Sequence, residues 1–212
     1  TADEALVKMG EAAVEPLIER IEWGTSTSGG PRQGTDDVFK FSEYEVGALV
    51  EIGDPRAIPL LGKLLSDPNV SWSASSALAE IGGAQAVDAL LAALKEKGRD
   101  LGSIAGVLGT IGDVRAVEPL LTILKKGLKR DAPGFPAMAT ALGKIKDERA
   151  VEALVKSLED KDDDDADGRV SGAAAEALGA LKDVRAVEPI CNALERNVPT
   201  ADSYYTNALE KL

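Results

Sequence analysis

Residues Asp113–Pro119 read DVRAVEP, and Asp183–Pro189 read the same seven residues again. The heptad sits inside a longer pattern: Ala-Leu, an apolar residue three positions after the leucine, Gly-Asp, Arg-Ala-Val and Leu-Leu. The pattern occurs six times. The copies are LVKMGEAAVEPL from Leu6, LVEIGDPRAIPLL from Leu49, LAEIGGAQAVDALL from Leu78, LGTIGDVRAVEPLL from Leu108, LGKIKDERAVEALV from Leu142 and LGALKDVRAVEPIC from Leu178. A seventh opens at Leu209 with LEKL, where the sequence stops. Successive anchoring leucines are 43, 29, 30, 34, 36 and 31 residues apart. The unit is therefore about 30 residues, a spacing that marks a repeat architecture, and the longer intervals carry insertions.

Each unit reads as two helices. In the fourth, Leu101, Ile104, Ala105, Leu108 and Ile111 recur at helical spacing. Gly112 is placed to end that helix in the left-handed conformation. Asp113 is placed to cap the next, which carries Val117, Leu120, Leu121 and Leu124 on one face and closes at Gly127. A lone hairpin cannot bury both of its apolar faces, whereas a stack of hairpins can. The heptad recurs because every layer needs the same turn. This predicts an all-α fold, an α–α superhelix of about six hairpins forming one domain over 1–212, with insertions near 24–40, 126–136 and 160–168.

Bulk composition narrows the function. The chain is 44% apolar with 4% aromatics, so small aliphatic side chains make its core. Its net charge of −12 disfavours nucleic acid and anionic membranes and favours a basic protein or peptide. With no histidine and one cysteine, Ser-His-Asp and Cys-His chemistry are excluded and a zinc site of the usual kind is disfavoured. The single Cys191 fits a reducing, cytoplasmic setting, and its alignment with Leu121 and Val155 predicts a small core residue. No apolar run reaches the roughly 20 residues of a membrane span. The chain opens at Thr1 without an initiator methionine, which leaves room for an upstream segment. Apolar Leu6, Val7, Leu209 and Leu212 near the ends point to end-to-end self-association at high concentration.

The six copies resemble the HEAT-like repeats of the phycobilin-lyase type. The resemblance implies a curved stack whose second helices line the concave face. It also implies that the turn Asp and the following Arg form a ladder between layers. The matching pairs are Asp54 with Arg56, Asp113 with Arg115, Asp147 with Arg149 and Asp183 with Arg185. The third copy departs, with Gly83 and Gln85, and the first has Glu11 and lacks the Arg. Because the pairs recur in layer after layer, they read as structural staples, not as a catalytic set. Some relatives attach or remove bilin chromophores on phycobiliproteins, and others hydroxylate a modified lysine at a di-iron centre. The paired His-Glu motifs of the latter are absent here.

Several residues stand out as candidates for binding. If Val117, Leu120 and Leu121 face inward, then Glu118, Thr122 and Lys125 face the groove, and so do Glu152 and Lys156, and Glu188 and Asn192. Across all six copies these positions hold nine acids and four lysines. They read either as a groove for a basic or mixed-charge polypeptide or as a solvated face with pairs such as Glu152–Lys156. The leading expectation is a non-enzymatic scaffold binding a protein or peptide there, and the alternative is bilin-lyase-like chemistry. The stretch Trp23–Tyr44 holds four of the eight aromatics around a Gly/Ser/Thr-rich centre. Trp23 and Phe39 are its candidate anchors, whereas Phe41 falls at a helix-start core position. A second insertion, Lys126–Pro136, carries an exposed-looking Phe135. Trp72 reads as partly exposed, and Tyr204 and Tyr205 as capping the stack. In KDDDDADG at Lys161–Gly168, Asp163, Asp165 and Asp167 match the start of a calcium loop. The twelfth position, however, is Ala174 rather than Glu. The other reading is an acidic loop in which Asp165 or Asp167 caps the next helix, and apart from this calcium no cofactor is expected.

Overall fold

The computed structural model describes residues 9–26, 37–65, 70–96, 100–125, 134–159, 168–195 and 202–212, with backbone alone at 22–26, 37–44 and 159. All regular structure among them is helical. The first helix is α1 (Val14–Ser26), preceded by a 3₁₀ turn at Gly10–Ala13. Two helices per copy follow: α2 (Asp37–Ile52) and α3 (Ile58–Leu64), α4 (Ser71–Ile81) and α5 (Gly83–Ala93), α6 (Leu101–Ile111) and α7 (Val117–Lys125), α8 (Gly134–Ile145) and α9 (Ala150–Glu159), and α10 (Arg169–Leu181) and α11 (Val187–Glu195). The last is α12 (Asp202–Lys211). Gly127, expected to close α7, lies outside the described residues.

The chain forms two compact units, Thr1–Asp100 and Leu101–Leu212. In the second unit the first helices stack in the order α6, α8, α10, α12, and the second helices stack as α7, α9, α11. In the first unit α2 packs on α4, and α3 on α5. Each unit is thus two helical layers sharing a core of Leu, Ile, Val and Ala. Leu49, Leu78, Leu108, Leu142 and Leu178, the anchors of the repeat pattern, have no exposed surface.

The second unit's first-helix layer is held close by a Leu-Gly pair, Leu108-Gly109, Leu142-Gly143 and Leu178-Gly179. A Cβ placed on Gly109 would lie 2.6 Å from Ala141 Cα. On Gly143 it would lie 2.7 Å from Ala177 Cα, and on Gly179 2.9 Å from Ala208 Cα. The glycine of each layer therefore receives the alanine of the next. Copies two and three carry Val50 and Ala79 at this position, so the signature belongs to the second unit.

The turns repeat a single conformation. Gly53 and Gly112 end their helices with φ of 67° and 75°. In copies five and six the same position is lysine, and Lys146 and Lys182 take φ of 59° and 57°. A side chain in this region costs about 1–2 kcal/mol, so the turn is enforced by the packing around it.

Three aromatic readings resolve here. Phe135 belongs to α8 and is only 3% exposed. The expectation of an exposed edge residue is overturned, because α8 begins at Gly134 and takes Phe135 into the core. Trp72 is 71% exposed. Tyr205 is buried, while Tyr204 lies over Gly172, where any Cβ would strike its ring. Cys191 is half-buried, not a core residue. It sits one turn after Val187, which is 40% exposed where its counterparts Val117 and Val151 are buried.

Gly143→Ala should destabilise the second unit by about 1–3 kcal/mol through overpacking. Lys146→Gly should instead raise stability by about 1 kcal/mol by relieving the left-handed side chain. Urea unfolding followed by helical circular dichroism measures both.

Candidate functional site

The side chains with the most regular chemistry lie where each second helix begins. Asp54, Asp113 and Asp183 each cap a 3₁₀ turn by accepting the backbone N–H of the arginine two residues on. Each also receives that arginine's guanidinium. In the last copy Arg185 donates from N at 2.9 Å and Nε at 2.9 Å to Asp183 Oδ1, and from Nη2 at 2.6 Å to Oδ2. Asp147 and Arg149 repeat the arrangement at 3.0, 2.8 and 2.7 Å. Such forked, charge-assisted contacts have a fixed geometry that lysine does not reproduce.

The fork holds every turn aspartate ionised. The arginine's side-chain bonds, then its backbone N–H, pull Asp54, Asp113 and Asp147 below their ordinary carboxylate range. The same two causes bring Asp183 to about 2. Glu45 is different: burial pushes it up, and its ion pair with Arg20 opposes the rise.

With one side of the guanidinium tied to its own turn, the other reaches the preceding layer. Arg56 donates from Nη2 to the Glu11 carbonyl at 3.1 Å, and its Nη1 is 3.7 Å from Glu15. Arg149 donates from Nη1 to Glu118 at 3.4 Å. Arg185 lies in the field of Glu148 and Glu152. The expected ladder is therefore present, but its rungs are built differently. The Asp–Arg pair closes within one turn, and the rung to the next layer is arginine to glutamate.

The third copy breaks this scheme. It has no 3₁₀ turn: α5 starts directly after Gly82, whose place at the cap supplies no side-chain bond. Gln85 stands where the arginine would be, and Pro59 stands where the preceding layer would present its glutamate. Here an open groove of about 520 Å³ is lined by Pro55, Arg56, Ile58, Pro59, Gln85 and Asp88.

A sequence profile of HEAT repeats matches residues 45–105 and 136–202. The chain belongs to the HEAT-repeat family. Its fold is accordingly the α–α superhelical class, as the spacing of the copies predicts. Comparison with curated protein sequences gives no match. Among solved structures the chain is similar to human deoxyhypusine hydroxylase in complex with glycerol, at 20% identity and a TM-score of 0.47, covering 99% of this chain and 77% of that one. It is also similar to the complex of CpcE and CpcF of phycocyanin lyase from Nostoc sp. PCC7120, at 23% identity and a TM-score of 0.44, covering 99% and 80%.

Within these HEAT repeats, Glu118, Thr122 and Lys125 are exposed in one row on α7. Glu152 and Lys156 are exposed on α9, and Glu188 and Asn192 on α11. Leu124, expected to be buried with Val117, Leu120 and Leu121, is only half-buried. Glu118 is at once a row residue and a rung partner of Arg149, a double role its position in the motif does not reveal. Trp23 lies in α1 and Phe39 in α2. Their side chains lie outside the described residues, as do Asp163, Asp165 and Asp167. The helix after the acidic stretch does begin at Arg169, but its cap residue is Gly168, at φ 63°, with no side-chain cap bond. Among the described residues no three potential ligands cluster around a metal position. Nor is any described helix long and apolar enough to cross a membrane.

Because Asp183 is depressed in the folded chain, its fork stabilises fully above its ordinary value of 3.8 and is lost as pH falls through about 2. NMR titration of its carboxyl should give a midpoint near the lower value. Asp183→Asn should remove that part of the acid dependence of the urea midpoint.

Proposed function

We propose that the chain is a non-enzymatic scaffold that binds a protein or peptide partner along the exposed face of its second helices. One observation carries this reading. Two surface positions four residues apart recur at one register on α7, α9 and α11, and they hold polar and charged residues of mixed sign: Glu118 and Thr122, Glu152 and Lys156, Glu188 and Asn192. Stacked repeats turn such a row into an extended surface, which suits a polypeptide better than a small molecule. The net charge of −12 favours a partner with basic segments.

The non-catalytic part of the proposal rests on where the shifted ionisable groups sit. The depressed aspartates all belong to turn forks that recur from layer to layer, so their shifts follow from structural pairing. Absence of histidine from the sequence removes the most adaptable proton-transfer group.

The test uses positions outside the rungs, so that the stack itself is undisturbed. The native chain and a Thr122→Lys, Glu188→Lys, Asn192→Lys variant serve as baits in extract of the source organism. A basic protein held by the native chain should fall at least tenfold with the variant, a change of about 1.4 kcal/mol. Equal retention by both baits would remove this face from the binding site.

A further inference from the structure

The second-helix layer ends on an apolar face. One aliphatic position recurs at the start of every second helix: Val14, Ile58, Val87, Val117, Val151 and Val187. The first five are between 0% and 6% exposed, whereas Val187 is 40% exposed. In that layer α9 follows α7, and α11 follows α9. Among the described residues no second helix follows α11. Cys191 and Leu194 continue the row from Val187 and are half-buried. Val184, in the turn before α11, is 75% exposed. Spacings of four and seven residues put Val187, Cys191 and Leu194 on one side of the helix. The outer face of a terminal repeat is ordinarily polar, and this one is not.

The rungs say what fits there. Glu15 meets Arg56, Glu118 meets Arg149, and Glu152 shares its field with Arg185. In all three cases the acid comes directly after the aliphatic position, and the arginine belongs to the turn of the following layer. Glu188 comes directly after Val187 and is exposed. No described layer follows to bring it an arginine. We infer that this end of the stack docks a partner helix that opens with an arginine-bearing turn. Its apolar side covers Val187, Cys191 and Leu194, and its guanidinium meets Glu188. The docking continues an interface already made twice in this unit, between α7 and α9 and between α9 and α11.

A second copy of the chain fits less well. Stacked head to tail it would offer α1, whose turn holds Glu11 and, at the arginine position, Ala12. That turn brings an acid toward Glu188 and no guanidinium. Two copies paired through α11 would supply no arginine either. Arg185 is bonded to Asp183 and lies in the field of Glu148 and Glu152, in the layer behind. A purely apolar helix would cover the row and leave the Glu188 carboxylate facing carbon. The inference does not rest on the scaffold reading above. It concerns the end of the stack, and Glu188 alone is common to both.

The probe is a fluorescein-labelled peptide of residues 147–159, DERAVEALVKSLE, the turn and second helix that pack on α7 in this chain. A hydrocarbon staple across the exposed positions 152 and 156 holds it helical, because so short a helix is marginal in water. Anisotropy measures its binding. Cys191 is the chain's one thiol, so the rate of its reaction with an aromatic disulfide reagent locates the peptide. The native chain should bind the peptide, and saturation should slow Cys191 at least about threefold. Arg149→Gln in the peptide should weaken binding about threefold, the worth of one exposed ion pair. A Glu188→Gln chain should bind both peptides alike. Val187→Asp should weaken binding at least about tenfold, with native helicity and urea midpoint, since the position is exposed. The inference is overturned by no binding to the native chain, by binding that leaves Cys191 as reactive as before, or by an arginine preference that survives Glu188→Gln. A dimer of the native chain in sedimentation equilibrium, lost with Val187→Asp, would make the occupant a second copy and overturn it too. Should the peptide bind as expected while the Thr122, Glu188, Asn192 variant keeps its extract partner, the second-helix face fails and the end face stands. A failed peptide with a lost extract partner gives the reverse.

Discussion

The turn arginines Arg56 and Arg149 are each held at two ends, and the register of the second helices depends on such arginines. In each, Nε and Nη2 close on the aspartate two residues before it, which fixes the turn and the start of the helix. The remaining nitrogen is then presented toward the layer behind. A surface ion pair between Arg149 and Glu118 would on its own contribute little, since both side chains are substantially exposed. Its value here is geometric. A guanidinium already fixed by its own turn loses little freedom on meeting the next glutamate, so it sets the register between layers more than the strength of their contact. The strength comes from apolar packing: Leu108, Leu142 and Leu178 are fully buried, and burial of a leucine side chain is worth about 1.5–3 kcal/mol.

The first-helix layer solves the same problem with different means. Gly109, Gly143 and Gly179 let α6, α8, α10 and α12 approach until the glycine of one touches the alanine of the next. Close approach multiplies dispersion contacts between backbones and leaves no room for larger side chains. Polar forks set the spacing on one side of the stack, and an absence of side-chain bulk sets it on the other. The two left-handed lysines, Lys146 and Lys182, show the strength of this combination. They hold a turn that glycine makes at no steric cost in other copies.

Much of this was legible in the sequence because periodicity reports burial directly. The leucine anchors, the two-helix unit, the capping aspartates and the exposed row at Glu118, Thr122 and Lys125 all follow from spacing and residue type. What was not legible lies between layers. Nothing local in DVRAVEP says that its glutamate serves the next copy's arginine. The signal was nevertheless there, in the joint loss of Pro59's glutamate and Gln85's arginine, and it becomes readable once the layers are known to be adjacent. Phe135 was misjudged for a related reason. Read as part of a Gly/Pro-flanked insertion it looks exposed, but α8 begins one residue earlier and turns it inward. Leu124 lies one residue before the end of α7, where the repeat average overstates burial, and Cys191 lies on the second helix of the sixth copy, where Val187 is exposed too.

The rungs also revise the electrostatics of the candidate face. Counting nine acids against four lysines describes a strongly acidic groove, but the count omits the arginines that stand beside it. Glu15 and Glu118 are in contact with Arg56 and Arg149, and Glu152 shares its field with Arg185. An acid already matched by a neighbouring guanidinium adds little to the long-range attraction of a basic partner. Diffuse charge is therefore a poor basis for selectivity on this face, and local shape must supply more of it. The interface between copies two and three is where local shape changes most. Prolines replace flexible side chains, the helix starts without its 3₁₀ turn, and a carboxylate and an amide share the lining.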